Sequence, residues 1–136
     1  MRKLIAALAV SALMLSAGGS VAAKERKTGE AKLAEILKGR VAGKPVSCIN
    51  TWRNANLSIV DNTAIVYRDG RTIYVNRTRN PKTLDWNDIL VIKRVGSTQL
   101  CKLDQVSTIE RGSGSFSGVV FLTDFVPYTL PKGGSA

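Results

Sequence analysis

The chain has 136 residues and carries 20 Lys and Arg against 10 Asp and Glu, a net charge of +10, with no histidine. Without histidine the commonest general base and metal ligand is missing, so a Ser/His/Asp or Cys/His arrangement cannot be built. Two cysteines fall short of the ligand set of a structural zinc site, and no stretch after residue 23 is apolar over the length needed to span a bilayer.

Arg2 and Lys3 form a basic start, residues 4–15 an apolar run, and Val21-Ala22-Ala23 the small residues of a cleavage site. Together they read as a signal peptide cut after Ala23. The mature part, about 110 residues, has the size of one domain and can bury a core without heavy disulfide stapling. Loss of Arg2 and Lys3 with the leader lowers the net charge only from +10 to +8. No cysteine lies near the cleavage site to accept a lipid, so a periplasmic or secreted product is expected. In that oxidising setting Cys48 and Cys101 can pair.

Residues 24–38 carry one amphipathic helix. Thr28 can cap it, Glu30 suits its positive end, Leu33, Ile36 and Leu37 fall at i, i+3 and i+4, and Lys38-Gly39 stops it. Residues 24–44 are therefore expected as helix and linker, residues 45–130 as a β domain and residues 131–136 as a flexible tail. Within the β domain, β-branched and aromatic runs at 46–49, 57–60, 64–68, 71–78, 89–95, 106–109 and 119–126 predict strands. The fold class is mainly β: a small antiparallel barrel or sandwich of six to seven short strands with one N-terminal helix and one disulfide.

Asp61-Asn62 and Asp69-Gly70 mark turns, the second joining two alternating runs as a tight hairpin, either type I′ or a type I turn with a Gly bulge. In the type I′ register Val66, Ile73 and Val75 share one face, the expected core face, and Ile65, Tyr67, Tyr74 and Asn76 share the other. Residues 89–92 are apolar on both faces, the mark of a central strand covered on each side. Residues 112–115 read as a loop.

Cys48-Ile49 with Arg53, then Val60-Asp61-x-Thr63-x-Ile65, Gly70, Tyr74-x-Asn76, Leu100-Cys101-x-x-Asp104 and Leu122-x-x-Phe125-x-Pro127 resemble, in that order, a family of small secreted proteobacterial domains of unassigned function. The resemblance spans residues 46–128. Members often hold a second cysteine pair, one in the loop after Tyr-x-Asn and one before the Leu-x-x-Phe-x-Pro stretch. Here both are absent together, which implies that the missing two bond to each other and leaves Cys48 and Cys101 as partners. The resemblance implies nothing about activity.

Asp61, Asp69, Asp85, Asp88, Asp104 and Glu110 could supply paired carboxylates, but turns and strand starts account for them. The cysteines form no Cys-x-x-Cys, so they read as a staple and not a redox pair. Trp52 and Trp86 read as core or rim anchors. The one surface feature with a functional reading is the basic hairpin. Arg68, Arg71, Arg77, Arg79 and Lys82 surround a tip whose only acid is Asp69, and in the type I′ register Arg68 faces Arg71, a like-charge pairing that suits an anionic partner. Tyr67 and Tyr74 add contact area.

The candidate site is thus an anion-binding one at Arg68, Arg71, Tyr74, Arg77 and Arg79, with no catalytic or metal residue and no cofactor. The expected function is non-enzymatic binding of a ligand the sequence does not identify, an anionic envelope component being the candidate. The alternatives are an accessory or inhibitor protein docking on an envelope protein and, third, a carboxylate enzyme.

Overall fold

The computed structural model describes residues 26–52, 56–94 and 96–133. The expected leader (residues 1–23), the start of the expected helix at residues 24–25, Arg53, Val95 and residues 134–136 lie outside the described residues.

Helix α1 spans Gly29–Ile36. Thr28 adopts extended backbone at its N-cap and its hydroxyl accepts from the Ala31 amide at 3.3 Å, satisfying one of the orphan donors of the first turn. Leu33 is buried, with Ile36 and Leu37 packed beside it. The first helical residue must be small, because a Cβ on Gly29 would collide with the Asp61 carbonyl and the Thr63 side chain of the turn beneath.

Ten short strands follow among the described residues: β1 Val41–Ala42, β2 Cys48–Asn50, β3 Leu57–Val60, β4 Ala64–Asp69, β5 Thr72–Asn76, β6 Asp88–Ile92, β7 Gln99–Cys101, β8 Val106–Glu110, β9 Phe116–Val120 and β10 Val126–Thr129. They form three antiparallel sheets, ordered β1-β10-β5-β4-β3, β2-β7 and β6-β8-β9, which do not close into a barrel.

The five-stranded sheet is covered on both sides. One face, carrying Val60, Ala64, Val66, Ile73 and Val75, packs under Leu33 of the helix. The opposite face, carrying Ile65 and Tyr67, packs against Ile49 of β2, Leu100 of β7, Val106 of β8 and Val120 of β9, with Leu84, Leu122 and Phe125 between them. The molecule is therefore helix, large sheet and two small sheets in layers. The two faces of the hairpin are those expected, but both are core and not one.

The hairpin register differs from the expected one. Asp69 pairs with Thr72, so the two-residue connection is Gly70-Arg71, with a positive φ of 54° at Gly70. Arg68 therefore faces Ile73, and the expected Arg68–Arg71 opposition does not occur. The displacement is two residues, which preserves every facing because side chains alternate with period two.

Three further expectations are corrected. The linker of residues 39–44 contributes β1, which pairs with β10. The run 119–126 is not one strand: residues 121–124 leave the sheet after β9, and Asn76, fully buried, holds them. Its side-chain amide donates to the Thr123 carbonyl at 2.7 Å and its carbonyl oxygen accepts from the Thr123 amide at 3.0 Å. Strand β6 is an edge strand of the three-stranded sheet, while β4 is the strand buried on both faces.

Cys48 and Cys101 form a disulfide across β2 and β7, at directly opposed positions with Cα atoms 4.0 Å apart. The Lys102 amide donates to the Ser47 carbonyl at 2.9 Å, so the neighbouring pair is the hydrogen-bonded one. The cysteines occupy a non-hydrogen-bonded pair, where the backbones approach most closely.

Candidate functional site

The three-stranded sheet has a different character from the large one. Its inward residues Leu90, Ile92, Val106 and Val120 belong to the core. Its outward residues do not become polar in compensation. A bulge in β9 explains part of this: Thr108 pairs with Gly118 but Ile109 pairs with Phe116, leaving Ser117 as the extra residue. Strict alternation from Val120 would turn Phe116 inward; the inserted Ser117 turns it out beside Ile109. The Ser117 hydroxyl then donates to the buried Asp88 carboxylate at 2.6 Å, which fixes the bulge to the start of β6.

Next to this face lies a groove of about 500 Å³, running along β9 and bounded by the turn after β7 and by the segment leaving β9. Three of its apolar lining side chains are more than half exposed: Leu103 at 84%, Phe116 at 69% and Phe121 at 52%. Leu103 occupies the apex of a turn in which the Asp104 amide donates to the Cys101 carbonyl at 3.0 Å and the Asp104 carboxylate accepts from the Cys101 amide at 2.7 Å. Turn, carboxylate and disulfide meet at Cys101, so an apolar side chain is held out on a braced support.

Three cations line the same groove. Arg79 is placed by its amide, which donates to the Phe121 carbonyl at 2.9 Å, and Lys93 by its own, which donates to the Gln105 carbonyl at 3.4 Å. Lys102 stands next to Leu103 and pairs with Asp124 at 2.9 Å. That hydrogen bond holds the Asp124 carboxyl below its usual range, assisted by one from the Ser47 hydroxyl at 3.3 Å. No ion pair of Arg79 or Lys93 occurs among the described residues. The arrangement suits a ligand with an apolar body and an anionic group.

The hairpin arginines are not gathered into one site. Arg68 and Arg71 stay exposed at the tip, the Arg68 carbonyl accepting from Asn56 and the Arg71 carbonyl from the Arg40 guanidinium. Arg77 and Arg79 lie at the other end of β5. Arg77 is not left free in solvent: it grips Glu30 of α1 at 2.6 and 3.1 Å, which lowers the Glu30 carboxyl and raises the guanidinium from their usual values. Tyr74 is half-buried and stacked on Tyr67, with ring centroids 6.4 Å apart. Only Arg79 of the expected anion site belongs to the groove.

The carboxylates mostly serve local bonds. Asp61 accepts from the Trp86 amide at 3.4 Å, Asp85 from the Asn87 amide at 2.8 Å and Glu110 from the Ser113 hydroxyl at 2.6 Å. Among the described residues no three Cys, Asp or Glu side chains gather as a metal ion would need. Neither tryptophan is a core anchor: Trp52 is 77% exposed, and Trp86, also exposed, lies under the Arg26 guanidinium at 5.7 Å. Trp86 borders a second, smaller pocket of about 330 Å³ with Ile89 and Arg111.

Leu103, Phe116, Phe121, Lys93 and Lys102 escaped the sequence reading. One local signal existed, an apolar residue at the centre of Cys101-Lys102-Leu103-Asp104, where a two-residue turn is ordinarily polar. Compared with models of known protein families, with curated proteins and with solved structures, the chain matches none.

Proposed function

We propose that this is a periplasmic or secreted, non-enzymatic binding domain whose groove along β9 takes an anionic amphiphile, a molecule with an alkyl or similarly apolar body and a phosphate or carboxylate head. The observation that carries the reading is the conjunction of Leu103, Phe116 and Phe121 with Arg79, Lys93 and Lys102 around one groove. Apolar side chains this exposed are stabilised by any ligand that removes them from water, and Arg79 and Lys93, which no acid among the described residues pairs, select the sign of its head.

Two coarser facts support the setting. The Cys48–Cys101 disulfide suits an oxidising compartment, and no helix among the described residues is long and apolar enough to cross a membrane. The anionic partner expected from the composition is retained in this reading. Its place moves from the hairpin tip to the groove, because the tip has charge without an apolar recess.

The test is calorimetric titration of the protein with dodecyl phosphate below its micelle concentration, with the uncharged monomer of dodecyl maltoside as comparison. Dodecyl phosphate binds, and its affinity falls about fivefold or more between low and high salt, since exposed cations are screened. Arg79→Gln with Lys93→Gln removes most of that salt dependence. Absence of dodecyl phosphate binding, or equal binding of the uncharged amphiphile, overturns the reading.

A further inference from the structure

The apolar side chains at the groove stand outside it as well as along it, and this bears on where the ligand comes from. Leu103 is the most exposed large apolar side chain among the described residues, and it sits at the apex of a turn, projecting from the surface and not lining a recess alone. The turn is braced three ways: by the disulfide at Cys101, by the Asp104 carboxylate on the Cys101 amide, and by the Lys102 amide on the Ser47 carbonyl. Its exposure is a built feature of the backbone, since a loose turn would let Leu103 fold back onto the surface. Phe121 also lines the groove, tied through its carbonyl to the Arg79 amide.

The cationic residues of the groove adjoin these tips along the backbone: Lys102 precedes Leu103, the Arg79 amide is bonded to the Phe121 carbonyl, and the Lys93 amide to the carbonyl of Gln105, two residues past Leu103. Two acids stand nearby, Asp104 on the Cys101 amide and Asp124 on Lys102, so among the described residues the unpaired positive charge of the groove is that of Arg79 and Lys93. Apolar tips interleaved with cations match the interface of an anionic bilayer, whose headgroups take the charges while the tips enter the acyl boundary. A protein partner would need a surface of matched shape, a requirement that a fluid bilayer does not impose.

We infer that the mouth of the groove, at Leu103, Phe121, Arg79, Lys93 and Lys102, docks on the surface of an anionic lipid bilayer, and that the groove draws its amphiphile from that bilayer. The inference rests on the groove reading given under the proposed function. It adds the source of the ligand and the orientation of the protein when it takes it.

Sedimentation with large vesicles tests it. Vesicles of phosphatidylglycerol and phosphatidylcholine carry down the protein at least about tenfold more strongly than vesicles of phosphatidylcholine alone, and Leu103→Ser with Phe121→Ser reduces that binding at least about tenfold. The variant Arg68→Ser with Arg71→Ser, which alters the hairpin tip, binds the anionic vesicles within about threefold of the parent, the residue of lost net charge. Circular dichroism and a denaturant midpoint show that each variant is folded.

The two readings fail separately. Binding of dodecyl phosphate monomers without vesicle binding overturns the docking inference and leaves the groove reading standing. Vesicle binding without dodecyl phosphate binding overturns the groove as a ligand site, and with it the claim that the bilayer supplies a ligand. Vesicle binding lost in the Arg68, Arg71 variant and kept in the Leu103, Phe121 variant places the docking face at the hairpin and overturns the inference.

Discussion

The five-stranded and three-stranded sheets are built from similar residues and put them to opposite use. In the large sheet β4 presents Ile65 and Tyr67 to one side and Ala64 and Val66 to the other, and both sides are sealed, by the small sheets and by α1. In the three-stranded sheet Val106 and Val120 face the core, while Ile89, Phe116 and Val119 on the other side remain exposed. Burial of apolar area stabilises a fold, whereas an open apolar face on a monomer lowers its solubility and persists where something binds. The comparison teaches that the large sheet spends its apolar residues on burial from both sides, and that the small sheet leaves open the apolar surface on which the proposed binding reading rests.

The largest expected effect comes from breaking the strap that joins β2 and β7, whose Ile49 and Leu100 lie in the core shared by the two regions. Cys48→Ser with Cys101→Ser removes a bond closing a loop of 53 residues, and on the chain-entropy account its loss lowers stability by about 4 kcal/mol. Urea unfolding of the parent and variant measures it. Because Leu103 projects from the turn that begins at Cys101, dodecyl phosphate binding weakens in the same variant. A stability change below about 1 kcal/mol would show that β2 and β7 are held by packing on Phe125 and Leu122 and not by the strap.

A sharper form of the comparison deletes one apolar side chain from each sheet. Ile73, on the helix side of the large sheet, is buried, so Ile73→Ala lowers stability by about 3 kcal/mol through lost burial and the cavity left behind. Phe116 is a larger side chain, yet Phe116→Ala changes stability by less than about 0.5 kcal/mol because little of it leaves water on folding. The same variant loses affinity for dodecyl phosphate, which Ile73→Ala retains to the extent that it folds. Equal destabilisation by both would mean that the outer face of the small sheet is covered in solution.

What the sequence discloses about these regions follows from how local each signal is. The helix is readable because Thr28, Glu30, Leu33, Ile36 and Leu37 lie within three turns, and the disulfide because one cysteine pair has one way to close. The hairpin faces are readable from alternation alone. Its register is not, since glycine at position 70 suits either central position of a tight turn, and nothing local distinguishes Asp69-Gly70 from Gly70-Arg71.

Signals that depend on distant partners are lost. Strands β1 and β7 are too short to show a period. Leu122 and Phe125 continue an apolar run although Asn76, from another strand, holds Thr123 between them out of any sheet. Strand β6 looks like a buried central strand because its outer residues are apolar for a different reason: they belong to the open face. The groove is the least legible feature of all. It is assembled from residues 79, 93, 102–107, 116 and 119–122, and one inserted serine in β9 decides that Phe116 belongs to it.

The smallest expected effect probes the seal over the large sheet. Arg77, at the end of β5, holds Glu30 in the first turn of α1, and their hydrogen bond with the accompanying charge attraction keeps the Glu30 carboxyl below its ordinary value. A carboxyl lowered in the folded state stabilises the fold at pH values above its unfolded value, and that contribution disappears as pH falls through the lowered folded value. The window therefore opens near the usual glutamate range, about pH 4.3, and extends below it. Both side chains are more than half exposed, so screening limits the contribution to a few tenths of a kcal/mol. Denaturant midpoints of the parent and of Glu30→Gln differ by that amount at pH 7 and converge by about pH 3. Hydrogen exchange of the α1 amides, which sit over Val66 and Ile73, speeds up in the variant at pH 7 while exchange in β8 does not. A difference that stays the same at both pH values would assign the effect to packing of the Glu30 stem and not to its charge.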